Sequence, residues 1–528
     1  MEENNPEVKL KKKGFNKVIA IVIAAAVLLV GGSVAAFILI EDSPKIQYFL
    51  YEKNTIDMFA EQVENRYEPE LEWAEKSLDN PTENIYELSA EVNMPIPGGT
   101  GPVTADQIIN NSTITVTTNM DRQEKVASAN IEGSFGTFEV GNFNAYLTSE
   151  KMMLGLPFLN EILQLKGDDF GKLLQQVDPY TFTGEEKIDF NMLFEGNILP
   201  EKDLDYLEDE YVKSIYNALP DDAFKSEDET VKIGNENVNT EKITFHLTEE
   251  QLKVIIADTL KKMEKDDRFK EILLNYVQSH DTGPLVFGED SELNIQDEFE
   301  ANYDTAIKDA IDDINDFKIP DGLTSTIWVE DDIIVKRDFS IEMGPSDDQL
   351  VTFYVKGLIN YSNVEQTFEY DFGIIDQGDD QSIAVDGTLS NDDGKTKDSI
   401  TLSIGSTKLV YESDETLKDS KRDFERVVSF TDETGYTVDV IWSGNATYDG
   451  DQMQSEHELT VASDDIMQDL VILYLDKESK VTDGVELPSD DNIKDIGSMN
   501  VDEIMTYFET EVTPQFEEWL MGIVGFGL

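Results

Sequence analysis

Residues 324–341 read TSTIWVEDDIIVKRDFSI, two apolar runs rich in β-branched and aromatic residues on either side of Glu330-Asp331-Asp332. Runs of this composition parted by a short polar turn predict a β-hairpin. On the second run Ile333, Val335, Phe339 and Ile341 share the period of two that places side chains on one face. Similar segments recur at 351–357, 364–372, 382–389, 399–404, 436–442 and 470–475. Asn391-Asp392-Asp393-Gly394 and Asp449-Gly450-Asp451 supply turns between them. Residues 324–487 are therefore expected to form an antiparallel β region.

Upstream, residues 83–323 mix strands and helices. Alternation at 85–94, 114–118, 125–138 and 145–154 predicts an antiparallel meander with one buried face, punctuated by Pro95-Ile96-Pro97-Gly98-Gly99. Helices are predicted at 168–176 and 204–218. A strand at 242–247 runs into Thr248-Glu249-Glu250-Gln251, a capping box that opens a helix bearing Leu252, Ile255, Ile256, Leu260 and Met263 on one face. Ile295, Phe299, Tyr303, Ile307, Ile311 and Ile314 mark another.

At the two ends the helical period returns. Residues 41–82 place Ile46, Phe49, Leu50, Ile56, Phe59 and Val63 at three- and four-residue steps after Pro44, with an interruption at Pro69. Residues 488–528 carry Val501, Ile504, Met505, Phe508 and Val512, then a second piece opened by Pro514.

Residues 18–40, VIAIVIAAAVLLVGGSVAAFILI, contain no charge and are long enough for a transmembrane helix. The basic tail 1–17, with Lys9, Lys11, Lys12, Lys13 and Lys17, would stay cytoplasmic under the positive-inside rule. A cleaved secretory signal is the rival reading, but the apolar run continues through Phe37-Ile38-Leu39-Ile40 beyond the small residues Ala35-Ala36. The sequence thus predicts a single-pass cell-membrane protein with its C-terminal ectodomain outside a Gram-positive cell, and the bilayer as a partner.

The formal charge is −69, with 110 acids against 41 Lys and Arg. Nucleic acid is excluded as a partner, because its binding requires basic groups to neutralise phosphates. With no cysteine there are neither disulfides nor thiolate metal ligands. His246, His280 and His457 lie in unrelated contexts without metal-ligand spacing. Gly167-Asp168-Asp169-Phe170-Gly171-Lys172 is one residue short of a phosphate loop, and Leu173 stands where Ser or Thr is required. The acidic turns at Asp392-Asp393-Gly394 and Asp449-Gly450-Asp451 lack the spaced calcium-loop pattern. Neither catalytic, cofactor-binding nor metal-ligating residues are assigned, no cofactor is expected, and the protein reads as non-enzymatic.

The basic tail and anchor, Ser43-Pro44-Lys45-Ile46-Gln47-Tyr48-Phe49-Leu50, and the stretch Tyr146 to Leu159 leading to Asp169-Phe170-Gly171-Lys172-Leu173 resemble a domain-of-unknown-function family of single-pass envelope proteins of Bacillota. More loosely, the order helix, meander, helices, meander is similar to the lipoprotein-carrier and mycobacterial lipoprotein class. That resemblance implies a curved antiparallel sheet around helices, with lipid or acyl chains in the apolar gap. The resulting expectation is an α+β ectodomain: a transmembrane helix, then a large curved antiparallel sheet packed on helices, working as a binding or cell-envelope protein for an apolar ligand or an envelope protein. Two alternatives stand beside it: an interaction protein whose acidic surface meets a basic partner or cations, and a cell-wall hydrolase using paired carboxylates.

Overall fold

The computed structural model describes residues 43–93, 104–136, 138–195, 199–234, 236–281, 285–286, 295–362, 364–489 and 492–525. A first meander comprises β1 (Thr82–Val92), β2 (Ser112–Asp121), β3 (Val126–Phe135), β4 (Phe138–Thr148), β5 (Lys151–Gly155) and β6 (Ile162–Lys166). After β7 (Lys187–Ile188) come the hairpin strands β8 (Phe224–Ile233) and β9 (Glu236–Leu247), and then β10 (Leu285–Val286), which pairs only with β7. The second meander starts with β11 (Leu323–Glu330), β12 (Ile333–Met343), β13 (Val351–Tyr361), β14 (Glu365–Asp376) and β15 (Asp379–Asp392). It continues through β16 (Lys395–Ile404), β17 (Thr407–Lys418), β18 (Lys421–Thr431), β19 (Thr437–Asp449), β20 (Gln452–Ser463) and β21 (Val471–Val481). A short β22 (Ile493–Asp495) adds parallel to β6.

The two meanders are one sheet. Its first link is β9 against β11, with Leu247 opposite Leu323. Its second is β21 against β1, from Val471 opposite Val92 to Val481 opposite Thr82. Twenty strands result, with β8 and β22 at its two ends.

This corrects the α+β expectation. A single antiparallel sheet carries the fold, and the helices line its margins and ends. Among the described residues no helix is long and apolar enough to cross a membrane. The 18–40 segment and the tail 1–17 lie outside the described residues. The single-pass cell-membrane assignment, with its extracellular C-terminal ectodomain, is corrected with it and is not carried forward.

The opening hairpin also differs in phase from its sequence reading. Asp331 and Asp332 both have positive φ, 49° and 65°, the backbone of a two-residue hairpin turn whose twist matches its strands. The register then shifts between Trp328 and Val329. Ile334, Phe339 and Ile341 face the main core, whereas Val335 packs with Trp328, Val231 and Ile233 on the other side. A β-bulge inserts one residue and so exchanges the faces beyond it.

The long helices are α1 (Pro44–Arg66), α2 (Glu68–Asp79), α3 (Glu249–Lys265), α4 (Asp267–Asp281), α5 (Ile295–Asp313), α6 (Val501–Tyr507) and α7 (Thr513–Gly525). Ser43 caps α1, and Pro69 opens α2 where the sequence placed the interruption. Thr248 and Gln251 form the expected capping box on α3. Pro514 does not begin a separate helix, because the wide turn Phe508–Val512 joins α6 to α7 without a break. A π-type turn accommodates a proline that cannot donate to the preceding turn.

The main core fills the β8 end. Ile243, Leu247, Leu323, Ile327, Phe339 and Ile341 of the sheet meet Leu252, Ile256 and Leu260 of α3 and Ile307 of α5. Tyr48 and Phe49 of α1 enter the same core, with Phe224 stacked on Phe245 at 4.4 Å. From there α1 and α2 run across the strands instead of along them. Tyr51 donates to Glu241 on β9, Tyr48 shares a hydrogen bond with Ser325 on β11, and Thr55 accepts the amide of Ile334 on β12. Arg337 forms a fork with Glu52, and Arg66 donates through Nη1 alone to both carboxylate oxygens of Asp398 on β16, at 2.9 Å each. At about 1.5 Å per residue the 23 and 12 residues of α1 and α2 reach roughly 50 Å, about ten inter-strand spacings of 4.8 Å.

A buried ionic knot fixes where the helix pair lies. Glu415, fully buried, accepts from Arg422 at 2.8 Å and from Arg426 at 2.7 Å. Arg422 also binds Glu70 of α2 and the carbonyl of Arg66. Removing one member of such a network strands an unpaired buried charge. Glu415→Ala is therefore expected to cost about 3–5 kcal/mol of stability. Lys53→Ala, which removes an exposed pair with Asp57, should cost less than about 1 kcal/mol. Urea unfolding of both variants beside the parent chain checks the contrast.

Candidate functional site

Beyond the main core, the face of the sheet that packs on α1 continues with no helix of the described residues over it. Strand register carries its rows from one strand to the next. Phe372 of β14 lies opposite Ile383 of β15, which lies opposite Ile404 of β16. Leu402, Leu409, Phe430 and Val438 form the next row. Val428 leads to Val440 and Val461, and Trp442 to Leu459 and Leu473. Leu475, Leu88 and Ile114 carry the face onto the first meander, where Val116 and Ile131 reach Phe143 of β4.

These side chains are not buried. Ile404 is 53% exposed, Leu473 48%, Phe430 47%, Ile131 46% and Leu88 41%. From β14 to β3 the uncovered strip crosses eleven strands, roughly 50 Å at 4.8 Å per spacing. Its exposed area is on the order of 1,000 Å², above the few hundred typical of the largest patch on a monomer.

The opposite face has the reverse character. Glu369 and Asp371 on β14, Glu412 and Asp414 on β17, Glu425 on β18, Glu456 and Glu458 on β20, and Glu87 on β1 all belong to it by register. An antiparallel sheet commonly keeps one wet face and one core face. Here the wet face is acidic and much of the core face lacks a cover.

Three sides of the strip are walled. The main core closes the β8 end. At the other end Tyr507 and Val512 pack on Leu163, while Trp519 of α7 meets Phe143 at 6.3 Å and Phe158 at 5.6 Å. Along one margin run α1 and α2, over the starts of β14, β16, β18 and β20. Gln366, Asp398, Arg422 and Asp451 meet Gln62, Arg66, Glu70 and Lys76 there. The sheet face is thus polar and ion-paired under the helices and aliphatic away from them: a trough, open on top.

Where the two zones meet, His457 of β20 stands between Trp442 and Ser455. The indole Nε1 donates to its Nδ1 at 3.2 Å, and its Nε2 is 2.9 Å from the Ser455 hydroxyl. A neutral ring with its proton on Nε2 satisfies both contacts. Burial first, then the positive charges of Arg426 and Lys477, lower its pKa from the usual value.

The other residues singled out from sequence find local roles. His246 is exposed, its Nδ1 3.0 Å from the Thr324 hydroxyl, and His280 falls within α4. Lys172 of the imperfect phosphate loop is exposed and pairs with Asp169. The turn at Asp449-Gly450-Asp451 receives Lys76, and among the described residues no group of three or more His, Asp or Glu could hold a metal. Every carboxylate shift resolved among them, Glu186, Glu249 and Asp266 included, is downward.

No family model and no curated protein matches the chain. Among solved structures it is similar to OccK9 (OpdG) of Pseudomonas aeruginosa at 6% identity, over 76% of this chain and 97% of that one, with a TM-score of 0.23. It is similar to a BenF-like porin from Pseudomonas fluorescens Pf-5 at 7%, over 76% and 98%, with a TM-score of 0.24. OmpT of Vibrio cholerae gives 7%, 76% and 98%, with a TM-score of 0.21. Scores this low carry neither fold nor function across.

The histidine supplies a test of the trough wall. Its pKa is depressed in the fold, so the unfolded chain takes up a proton near pH 6.5 that the folded ring resists. The stability it contributes is complete above about pH 6.5 and falls as the pH drops toward the folded value. His457→Gln, which keeps an acceptor for Trp442, should lose less stability than the parent chain between pH 7.5 and pH 5.5. Urea midpoints at the two pH values read the difference.

Proposed function

We propose that this is a non-enzymatic binding protein that holds the acyl chains of lipids along the uncovered apolar face. The observation that carries the reading is the strip from Phe372 to Ile131, continuous across eleven strands and uncovered among the described residues. Its composition supports a hydrocarbon ligand. Ile, Leu and Val dominate it, whereas protein–protein hot spots are enriched in Trp, Tyr and Arg and poor in Leu and Val. Its shape supports the same reading, because a long strip closed at both ends and along one margin suits flexible chains better than a folded partner. The ligand class is the one implied by the loose resemblance to lipid carriers, with an open trough in place of an enclosed gap.

Native and denaturing mass spectra of the full chain, with extraction of any bound lipid, test the proposal. A stoichiometric lipid adduct is expected. Val440→Glu and Leu473→Glu, on exposed floor positions, should abolish it without unfolding the protein, while Ser399→Glu on the opposite face should retain it. A clean mass after incubation with membrane lipids would overturn the reading.

A further inference from the structure

The floor of the trough carries three cations between β14 and β1, and two of them are matched. Arg422 and Arg426 share the buried Glu415. The third, Lys477 on β21, lies on the same face, with Ser455 and Tyr86 as its cross-strand neighbours. Its ammonium sits 5.4 Å from the centre of the Tyr86 ring and forms no ion pair among the described residues. Burial holds its pKa below the usual lysine value. Such a lysine is unusual in a chain with 110 acids and 41 Lys and Arg. Its strand neighbours Lys480 and Asp476 belong to the other, acidic face, where Lys480 has Glu83 within 2.5 Å.

A half-buried ammonium without a counter-ion costs free energy that an incoming anion would recover. The position is specific as well. Lys477 lies where the aliphatic floor gives way to the ion-paired zone under α1 and α2. Leu475, two residues away on the same face, continues into the row of Leu88 and Ile114. A ligand with its chains on that floor would bring its polar end to this boundary. Arg426, on the far side of His457, is held by Glu415 at 2.7 Å and leaves Lys477 as the unmatched cation of the floor among the described residues.

We infer that Lys477 anchors an anionic oxygen group, phosphate or carboxylate, at the head of an acyl-chain ligand lying in the trough. The inference rests on the proposed lipid-binding role and adds selectivity to it. Without such an anchor the opposite preference follows, since a chain of net charge −69 repels anionic ligands at long range.

Native mass spectrometry of the full chain with lipids of identical acyl chains decides it. The probes are phosphatidylglycerol, oleate, net-neutral phosphatidylcholine and diacylglycerol, with inorganic phosphate as competitor. The parent chain should favour the anionic lipids over diacylglycerol by roughly tenfold, about the contribution of one charge-assisted hydrogen bond. Lys477→Met should abolish that preference and leave diacylglycerol binding unchanged, and Lys477→Arg should restore it. A preference for phosphatidylglycerol but not oleate assigns the site to phosphate; preference for both assigns it to either oxyanion. Equal binding of anionic and neutral lipids, or a preference that survives Lys477→Met, overturns the anchor while leaving the trough intact. Failure of every lipid to bind overturns both readings. Capture of inorganic phosphate without any lipid overturns the head-group assignment.

Discussion

An antiparallel sheet whose residues alternate between apolar and charged has to put its apolar face against something, and here twenty strands share one such face. The described helices are too few and too short to cover it. They close the β8 end through α3 and α5, the β6 end through α6 and α7, and one long margin through α1 and α2. Everything else about the molecule follows from that shortfall. The main packed core is confined to the β8 end, the ionic knot lies where the helix pair meets the sheet, and the aliphatic strip remains open beyond it.

The knot around Glu415 illustrates how polarity and placement are coupled. A helix crossing strands at a steep angle touches only one or two residues on each. Those residues, Gln366, Asp398 and Arg422, are polar, while Phe372, Leu402 and Phe430 further along the same strands are apolar. Paired charges are costly to bury but are sensitive to position, so they fix the helix pair at one margin and discourage it from sliding over the apolar rows. A purely apolar contact would have no such preference.

The same coupling explains what sequence reading misses. β17, β18 and β20 have the period of two, as in Leu409, Tyr411, Ser413, Glu415 or Arg422, Phe424, Arg426, Val428, Phe430. Their inward positions turn polar toward the helix margin, which breaks the apolar alternation that identifies a half-buried strand. They go unassigned for that reason, although the turn at Asp419-Ser420, with φ of 50° and 60°, is a good hairpin signal in retrospect. The candidate site has the same history. Periodicity gives a side chain's face and not what covers that face, so neither the open apolar rows nor the half-buried Lys477 could be told apart from ordinary core and surface positions.

The sequence by itself determined the strands of both meanders in outline, the α1–α2 break at Pro69, the Thr248 cap, and the absence of motifs for metal, phosphate or nucleophilic chemistry. These are properties of a few neighbouring residues, set by turn geometry, capping and alternation. Only the tertiary structure decided that β21 joins β1 to make one sheet, that a bulge sends Val335 to the opposite side from Phe339, and that the apolar face stays open between its helical walls. Each of those depends on which strand or helix lies alongside a residue from a distant part of the chain. Pairing between residues nearly 400 positions apart, such as Thr82 with Val481, leaves no mark on either segment alone.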